Sequence, residues 1–206
     1  MIPVALQAEP DNFNASVRVP GAKFLAKTQH PTHRDFKGNN FWKNAAEDVY
    51  EAYSRVCAYT CRYIDTPYGS IDHFRSKSAH PHLSFEWSNF RLSLPRVNHH
   101  KAANASILDP FDVQPGWFVL DFPSCLVKPG DCLDHDVVDQ INASIAGLKL
   151  NDDDSFVQDR SDIMMMYAEQ VVTLTYLQRR RPFLAAEVER QGIDHVRAAA
   201  LFKRLS

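Results

Sequence analysis

The sequence predicts an α+β protein, with a short pair of strands near the middle of the chain and a mostly helical C-terminal part. Residues 57–64 and 70–74 are short runs rich in aromatic and β-branched residues, separated by the turn sequence Thr66-Pro67-Tyr68-Gly69. These two runs are expected to pair as a hairpin. From Asp134 onward, apolar residues recur at every third or fourth position, which is typical of amphipathic helices.

The N-terminal part of the chain is less regular. Residues 1–38 are rich in Pro, Asn, Lys and His without sustained periodicity, so an irregular N-terminal arm is expected. A helix is expected next, capped by Asn39 or Asn40 and ending near Val56. Its apolar residues fall on one face, and they are Trp42, Ala45, Val49, Ala52, Tyr53 and Val56.

The remaining elements follow in chain order. A short helix or loop is expected over 86–94, and a helix capped by Asn98 follows the break at Pro95. Residues 109–133 are predicted to be mainly loop, with one strand at 117–122. Helices are then expected at about 134–148, 154–180 and 184–205, the last of them broken at Gly192.

Charge is distributed unevenly along the chain, whose net charge is −2. Residues 73–101 hold five basic residues and one acidic residue (net +4), whereas residues 109–159 hold two basic and eleven acidic ones (net −9). A basic segment in a mildly acidic protein is typical of a local phosphate-binding site. Its candidate nucleic-acid contacts are Arg75, Lys77, Arg96 and Lys101.

The composition favours a globular protein of the cytoplasm. The chain has 206 residues and 45% hydrophobic content, which is enough for a compact core. It has no run of about 18 apolar residues that predicts a membrane span, and Met1–Gln7 do not resemble the start of a secretory signal. In a reducing compartment the four cysteines are expected to be free thiols.

Residues with suitable chemistry for phosphodiester hydrolysis are concentrated between 72 and 98. This reaction needs a base that activates water, a cation near the leaving oxygen, and a group that holds the base. His73 is the candidate base, because imidazole titrates near neutral pH. Asp72 and Asn98 offer the oxygen ligands that Mg²⁺ and Mn²⁺ prefer. Asn89 is the candidate for orienting His73.

Asp72 and His73 are neighbours on a predicted strand, which constrains the site. Adjacent strand residues point to opposite faces. Both side chains therefore serve one site only at a strand end or a bulge, unless they approach the phosphate from different sides.

Several motifs resemble a known family when they are taken in order. They are Cys57-Ala58-Tyr59, Ile71-Asp72-His73-Phe74-Arg75-Ser76-Lys77-Ser78, Trp87-Ser88-Asn89-Phe90 and Asn98-His99-His100-Lys101. The pattern resembles the HNH (His-Met finger, ββα-metal) endonucleases, especially the subgroup whose first motif reads Asp-His-Phe-x-Pro-Lys-Ser. The resemblance covers residues 40–165 and includes Leu108-Asp109-Pro110-Phe111, and Leu148-Lys149-Leu150-Asn151 followed by Arg160.

The resemblance implies a ββα-metal core at 39–110 and a mainly helical region at 111–206 packed on that core. It implies that His73 is the general base, that Asn89 is the central Asn of the site, and that Asp72 and Asn98 bind one Mg²⁺ or Mn²⁺ ion. Lys101 matches the basic residue that follows the third motif. The implied substrate is nucleic acid, with DNA favoured over RNA.

The same subgroup resembles nuclease components of bacterial anti-phage systems, including Septu-like and retron-associated ones. In those systems the nuclease accompanies an ABC-type ATPase. The resemblance therefore implies a defence role and an ATPase partner.

The chain departs from the family pattern at two places. Many members carry two Cys-x-x-Cys knuckles that hold zinc, whereas here Cys57 and Cys61 are one residue too far apart and Leu94 and Val97 stand at the second knuckle. A tetrahedral zinc site is not expected there, and hydrophobic packing is expected instead.

The third motif has Asn98 where many members have His, and His99 or His100 is an alternative ligand. An alternative function follows from both departures, namely a degenerate module that binds nucleic acid or a partner protein without cutting.

Overall fold

The structure, a computed structural model, describes residues 1–65 and 69–202. These residues form helices and two small antiparallel sheets, which confirms the α+β class. They divide into two compact units. The central unit comprises Ala5–Cys57 and Ile64–Ala105, and the helical unit comprises Met1–Val4, Ala58–Tyr63 and the chain from Ser106 on.

The central unit begins with helices where the sequence predicted an irregular arm. A π-helical turn at Asn14–Arg18 leads into helix α1 (Val19–Lys27), and helix α2 spans His33–Gly38. The prediction of irregular chain is confirmed for residues 1–12 and is wrong for the helices that follow, because tertiary packing stabilises short helices with weak periodicity. The Thr32/Asp35 capping box of α2 was a readable sequence signal that the prediction missed.

The next helix is shorter than the sequence predicted. A 3₁₀ turn at Phe41–Ala45 leads into helix α3 (Ala46–Ala52). The predicted end at Val56 is wrong, because Ser54 and Arg55 adopt positive φ angles of 51° and 59° that end the helix.

A two-stranded sheet and a helix follow. Strand β1 (Ser70–His73) pairs antiparallel with strand β2 (Phe90–Ser93), and His73 lies opposite Phe90. Helix α4 (Pro95–Lys101) comes directly after β2. The predicted hairpin partner of β1 is therefore wrong, because residues 57–64 form no extended strand. Part of the predicted turn, Thr66–Tyr68, lies outside the described residues.

Two further predictions in this region are corrected. The short helix predicted within 86–94 is present only as a 3₁₀ turn at Trp87–Asn89, and strand β2 follows it; every residue of β2 is buried, so the strand lacks an alternating pattern. Helix α4 begins at Pro95, a residue favoured at the first helical position, and Asn98 lies within the helix instead of capping it.

In the helical unit, strands β3 (Phe118–Asp121) and β4 (Leu126–Pro129) form an antiparallel hairpin. The strand predicted at 117–122 is confirmed as β3, whereas β4 was not predicted. The helices are α5 (His135–Gly147), α6 (Asp154–Ala168), α7 (Leu174–Arg180), α8 (Pro182–Gln191) and α9 (His195–Phe202).

The predicted helix boundaries of this unit are partly correct. The helix at 134–148 is confirmed as α5, and Gly192 ends α8 in a left-handed conformation, as its sequence position predicts. The single helix predicted over 154–180 is wrong, because Thr173 caps a new helix at its N-terminus. The predicted end of the last helix, at Leu205, lies outside the described residues.

The motif residues Asn151 and Arg160 hold the hairpin of β3 and β4 in place. The Asn151 side chain accepts a hydrogen bond from the backbone N–H of Val127 at 2.9 Å and donates one to its carbonyl at 2.8 Å. Arg160 donates to the carbonyls of Cys125 and Leu150 at 2.7 and 2.8 Å. These contacts give this part of the motif pattern a structural role.

Over the parts of the chain that the structure covers, every helix is too short or too polar to cross a bilayer.

Candidate active site

The end of strand β1 places Asp72 and His73 on the wall of a cavity of about 540 Å³ in the central unit. Asn98 from helix α4 lies on the same wall. Asp72 and His73 both reach one cavity because His73 is the last residue of the strand. A strand end is one of the arrangements that the sequence analysis allowed for these two neighbours. The other lining residues are Pro31, Thr32, His33, Phe36, Ile71, Ser76, Lys77, Ser78, His99, Ala102 and Ala103.

The ring of His73 is held by a main-chain carbonyl. Its Nε2 lies 2.9 Å from the carbonyl oxygen of Ser84. A carbonyl oxygen can only accept a hydrogen bond. Nε2 therefore carries the hydrogen and donates the hydrogen bond, and Nδ1 keeps its lone pair. The structure therefore presents His73 in the tautomer that a general base requires.

Aromatic rings surround this imidazole. Trp42 meets it edge-on with ring centroids 5.0 Å apart, and Phe90 does the same at 5.2 Å. Burial, with the nearby charges of Lys77 and Lys101, lowers the pKa of His73 to about 3, against the raising effect of the hydrogen bond to the Ser84 carbonyl. His73 is therefore neutral at neutral pH.

Asn89 organises the loop between β1 and β2. Its Oδ1 accepts a hydrogen bond from the backbone N–H of Arg75 at 2.7 Å, and its Nδ2 donates to the carbonyls of Arg75 and Leu83, each at 3.0 Å. Leu83 precedes Ser84, whose carbonyl holds His73. Asn89 therefore acts on His73 through the loop and not through a direct contact.

Asp72 forms a buried ion pair with Lys101. The Lys101 Nζ lies 3.2 Å from Asp72 Oδ1, and it also donates to the carbonyls of His73 and Phe74 at 3.3 and 3.0 Å. Lys101 is only 1% exposed. The prediction that Lys101 contacts nucleic acid is therefore corrected, because its ammonium group holds the end of β1 from inside the unit.

The oxygen donors near this strand end fit a hard cation. The Asn98 amide nitrogen donates to Ser70 Oγ at 3.2 Å and to the Ile71 carbonyl at 3.5 Å. Its side-chain oxygen and the Asp72 carboxylate are donors of the kind that Mg²⁺ prefers. Across the described residues no group of three or more His, Cys, Asp and Glu is arranged to hold a metal. A pair of protein ligands suits Mg²⁺, which usually keeps several waters.

The other predicted cations lie in different places. Lys77 lines the cavity, with its Nζ 4.1 Å from the centroid of the Trp42 ring, and burial lowers its pKa. Arg75 and Arg96 are exposed in the same unit, and neither lines the cavity.

The predicted zinc-knuckle positions of the central unit are packed tightly. The backbone N–H of Leu94 lies 3.5 Å from Cys57 Sγ, and both Cys57 and Val97 are fully buried. All four cysteines are free thiols.

Sequence reasoning missed several residues of this site. Ser84 contributes only its carbonyl, for which no side-chain signal exists. Trp42 was assigned to an apolar stripe, and its contact with His73 depends on tertiary structure. Thr32 and His33 line the cavity from α2, a segment that was predicted to be irregular.

Comparison of the chain with models of protein families gave no match, and comparison with curated proteins gave none either. The function of the site is therefore inferred from its residues and their geometry.

Proposed function

We propose that this protein is a metal-dependent endonuclease of the HNH (ββα-metal) type that hydrolyses phosphodiester bonds, with DNA as the favoured substrate. One observation carries the proposal. His73 donates Nε2–H to the Ser84 carbonyl at a strand end, and lines one cavity with Asp72 and Asn98. The antiparallel pair β1 and β2 followed by α4 matches the order of elements that the resemblance implies.

His73 is neutral and keeps the Nδ1 lone pair, so it can accept a proton from water, as a weak base because its pKa is low. Its Nδ1 lone pair takes the proton as the water oxygen attacks phosphorus, and the bond from phosphorus to the leaving oxygen breaks. The hydrogen bond that Nε2–H donates to the Ser84 carbonyl keeps the ring fixed, so the base is oriented before substrate binds. A ring enclosed by Trp42 and Phe90 has little freedom to rotate.

Asp72 and Asn98 would hold the divalent ion. When bound, Mg²⁺ or Mn²⁺ supplies positive charge that stabilises the leaving oxygen. Lys101 keeps the Asp72 carboxylate in place through an ion pair of 3.2 Å. Lys77 lines the cavity and is placed to attract a phosphate, while Arg75 and Arg96 extend the positive charge over the same unit. The ABC-type ATPase partner and the anti-phage role remain predictions.

The Asp72–Lys101 ion pair also favours a second candidate function. Asp72 is only 2% exposed and already has a cationic partner, which would compete with a metal ion. The second candidate is a module that binds nucleic acid without cutting it.

Plasmid cleavage in the presence of Mg²⁺, Mn²⁺ or EDTA separates the two candidates. A nuclease is expected to cut with either metal and to stop in EDTA, and Asp72→Asn is expected to lower the rate strongly. Glu51→Gln serves as the control, because it removes an exposed carboxylate from the same unit. Salt-dependent DNA binding with no cutting under any condition would favour the binding module.

A further inference from the structure

A second cavity lies in the helical unit and shares no lining residue with the candidate active site. It measures about 520 Å³ and opens broadly to solvent. Its lining residues are Tyr63, Thr173, Thr175, Tyr176, Arg179 and Arg180, a set of cationic, aromatic and hydroxyl side chains without a carboxylate. Cavities of this size are typical of small-ligand sites.

In one wall of this cavity, a guanidinium group stacks on an aromatic ring. The guanidinium carbon of Arg180 lies 3.8 Å from the centroid of the Tyr63 ring. The backbone N–H of Tyr63 also donates to the Arg180 carbonyl at 3.0 Å, which fixes the two residues relative to each other. The pair presents planar groups of the kind on which nucleobases stack.

Helix α7 supplies the other wall. Thr173 caps the helix by accepting a hydrogen bond from the Tyr176 N–H at 3.2 Å, so the first turn is held in place. Tyr176 is 37% exposed, so part of this residue is open to solvent. It is therefore available to a ligand in the cavity.

Arg179 brings positive charge that no described residue neutralises. Its side chain is exposed, and in the described part of the chain no carboxylate lies within ion-pair distance of it. The neighbouring Arg181 shows the contrast, because its guanidinium forms a bidentate ion pair with Asp159 at 2.8 and 3.0 Å. An unmatched cation beside exposed rings favours an anionic aromatic ligand.

We propose that this cavity binds a nucleobase together with its phosphate, the base stacking on Tyr176 opposite the Arg180–Tyr63 wall and the phosphate pairing with Arg179. A free nucleotide and a single-stranded nucleic acid share this chemistry. The site belongs to the helical unit and uses none of the residues around His73, so it stands independently of the proposed nuclease activity.

Fluorescence anisotropy with a short labelled oligothymidylate tests this proposal on the full chain, with EDTA present so that no cleavage occurs. Tyr176→Ala and Arg179→Ala are each expected to weaken binding about tenfold, since stacking contacts and phosphate contacts contribute at this level. Tyr176→Phe keeps the ring and is expected to bind as wild type does. Lys128→Ala removes one positive charge from the same unit outside the cavity, and is expected to change little.

Competition with adenosine monophosphate distinguishes the two sources of the ligand. If a low concentration of adenosine monophosphate displaces the oligothymidylate, the natural ligand of the cavity is a free nucleotide. If the oligothymidylate resists displacement, the ligand is a single-stranded nucleic acid. The proposal is overturned if Tyr176→Ala and Arg179→Ala bind the strand as wild type does, or if only Arg179→Ala weakens binding. It is also overturned if a polyglutamate peptide binds equally well and is equally sensitive to Tyr176→Ala, because the cavity would then serve an acidic protein surface.

Discussion

His73 shows how a single main-chain contact sets the chemistry of a side chain. The Ser84 carbonyl accepts a hydrogen bond from Nε2–H of His73, which leaves Nδ1 as the nitrogen with the free lone pair. The sequence identified His73 and Asp72 because their residue types match the chemistry of phosphodiester hydrolysis. It did not identify Ser84, since any residue offers a carbonyl and only the folded loop determines which one points at the ring.

Asn89 and Lys101 show the limits of assigning roles from residue type. Both residues were predicted to belong to the site, and both instead act on the backbone around it. Asn89 holds Arg75 and Leu83, and Lys101 holds the carbonyls of His73 and Phe74. A buried lysine with several acceptors has the same sequence signature as an exposed one, so only its burial distinguishes the two roles.

Lys101 is expected to be essential for stability. Lys101→Met removes the cation that lies 3.2 Å from the buried Asp72 carboxylate, and it is expected to lower the free energy of unfolding by about 3–5 kcal/mol. The double variant Lys101→Met/Asp72→Asn removes the carboxylate charge as well and is expected to recover a large part of that loss. Chemical denaturation measures both effects, and Lys37→Met is the exposed control. A Lys101→Met variant as stable as wild type would contradict this role.

At the scale of elements, the N-terminal helices position the loop that orients His73. Phe24 of α1 packs edge-on against Phe85, with ring centroids 6.1 Å apart, and Phe36 of α2 lies 6.3 Å from the same ring. Phe85 directly follows Ser84. The helices that the sequence failed to predict therefore support the residue that holds the His73 ring.

Gly21 tests this contact between α1 and the loop. A Cβ at this position would collide with the Phe85 ring, so Gly21→Ala is expected to cost about 1–3 kcal/mol and to slow any cleavage by shifting Ser84. Gly38→Ala is the matched control, because a Cβ there meets no atom within 4 Å. Thermal unfolding and cleavage rates measure the two effects. Equal stability of the two variants would exclude a close contact at Gly21.

Side chains of α8 form hydrogen bonds with the backbone of strand β3. Glu187 accepts a hydrogen bond from the Leu120 N–H at 2.8 Å, and Gln191 donates to the Leu120 carbonyl at 2.8 Å. Burial alone would raise the pKa of Glu187, but hydrogen bonds from Arg190, Leu120 and Gln191 outweigh burial and hold the pKa below its ordinary value.

A lowered pKa makes the charged form of Glu187 a stabilising group. Its contribution is present above the ordinary glutamate pKa of 4.5 and is lost as pH falls through the lower folded-state value. Glu187→Gln is therefore expected to be less stable than wild type at pH 7, and to lose less stability on acidification through this window. Unfolding measured from pH 7 to pH 3 tests this, with Glu189→Gln as control. Parallel pH profiles for wild type and Glu187→Gln would contradict it.

Predictability differed sharply between elements. Helix α5 and the end of α8 were predicted because a long apolar stripe and a glycine at a helix end are local signals. Strand β2 was missed because both of its faces are buried, which removes the alternating pattern. The break between α6 and α7 was missed because the apolar spacing continues through Val171 and Val172, and only the Thr173 cap marks the new start.

At the scale of the whole molecule, the candidate active site is built entirely within the central unit. That unit includes residues 5–38, which the sequence did not assign to the core, and α2 contributes Thr32 and His33 to the cavity. The charge pattern of the chain agrees with this arrangement, since residues 73–101 carry a net charge of +4 in a chain whose net charge is −2. The candidate catalytic and metal-binding residues and the local positive charge thus lie together in residues 72–101.

The central claim is that His73 is the base of a metal-dependent nuclease, and the rate of plasmid cleavage in Mg²⁺ by wild type and His73→Ala tests it most directly. His73→Gln is measured beside it, with circular dichroism to confirm that both variants fold, and His82→Ala controls for loss of an exposed histidine. We expect both His73 variants to cut about 10²- to 10⁴-fold more slowly, the range that a general base contributes. Undiminished cleavage by a folded His73 variant would contradict the proposed function.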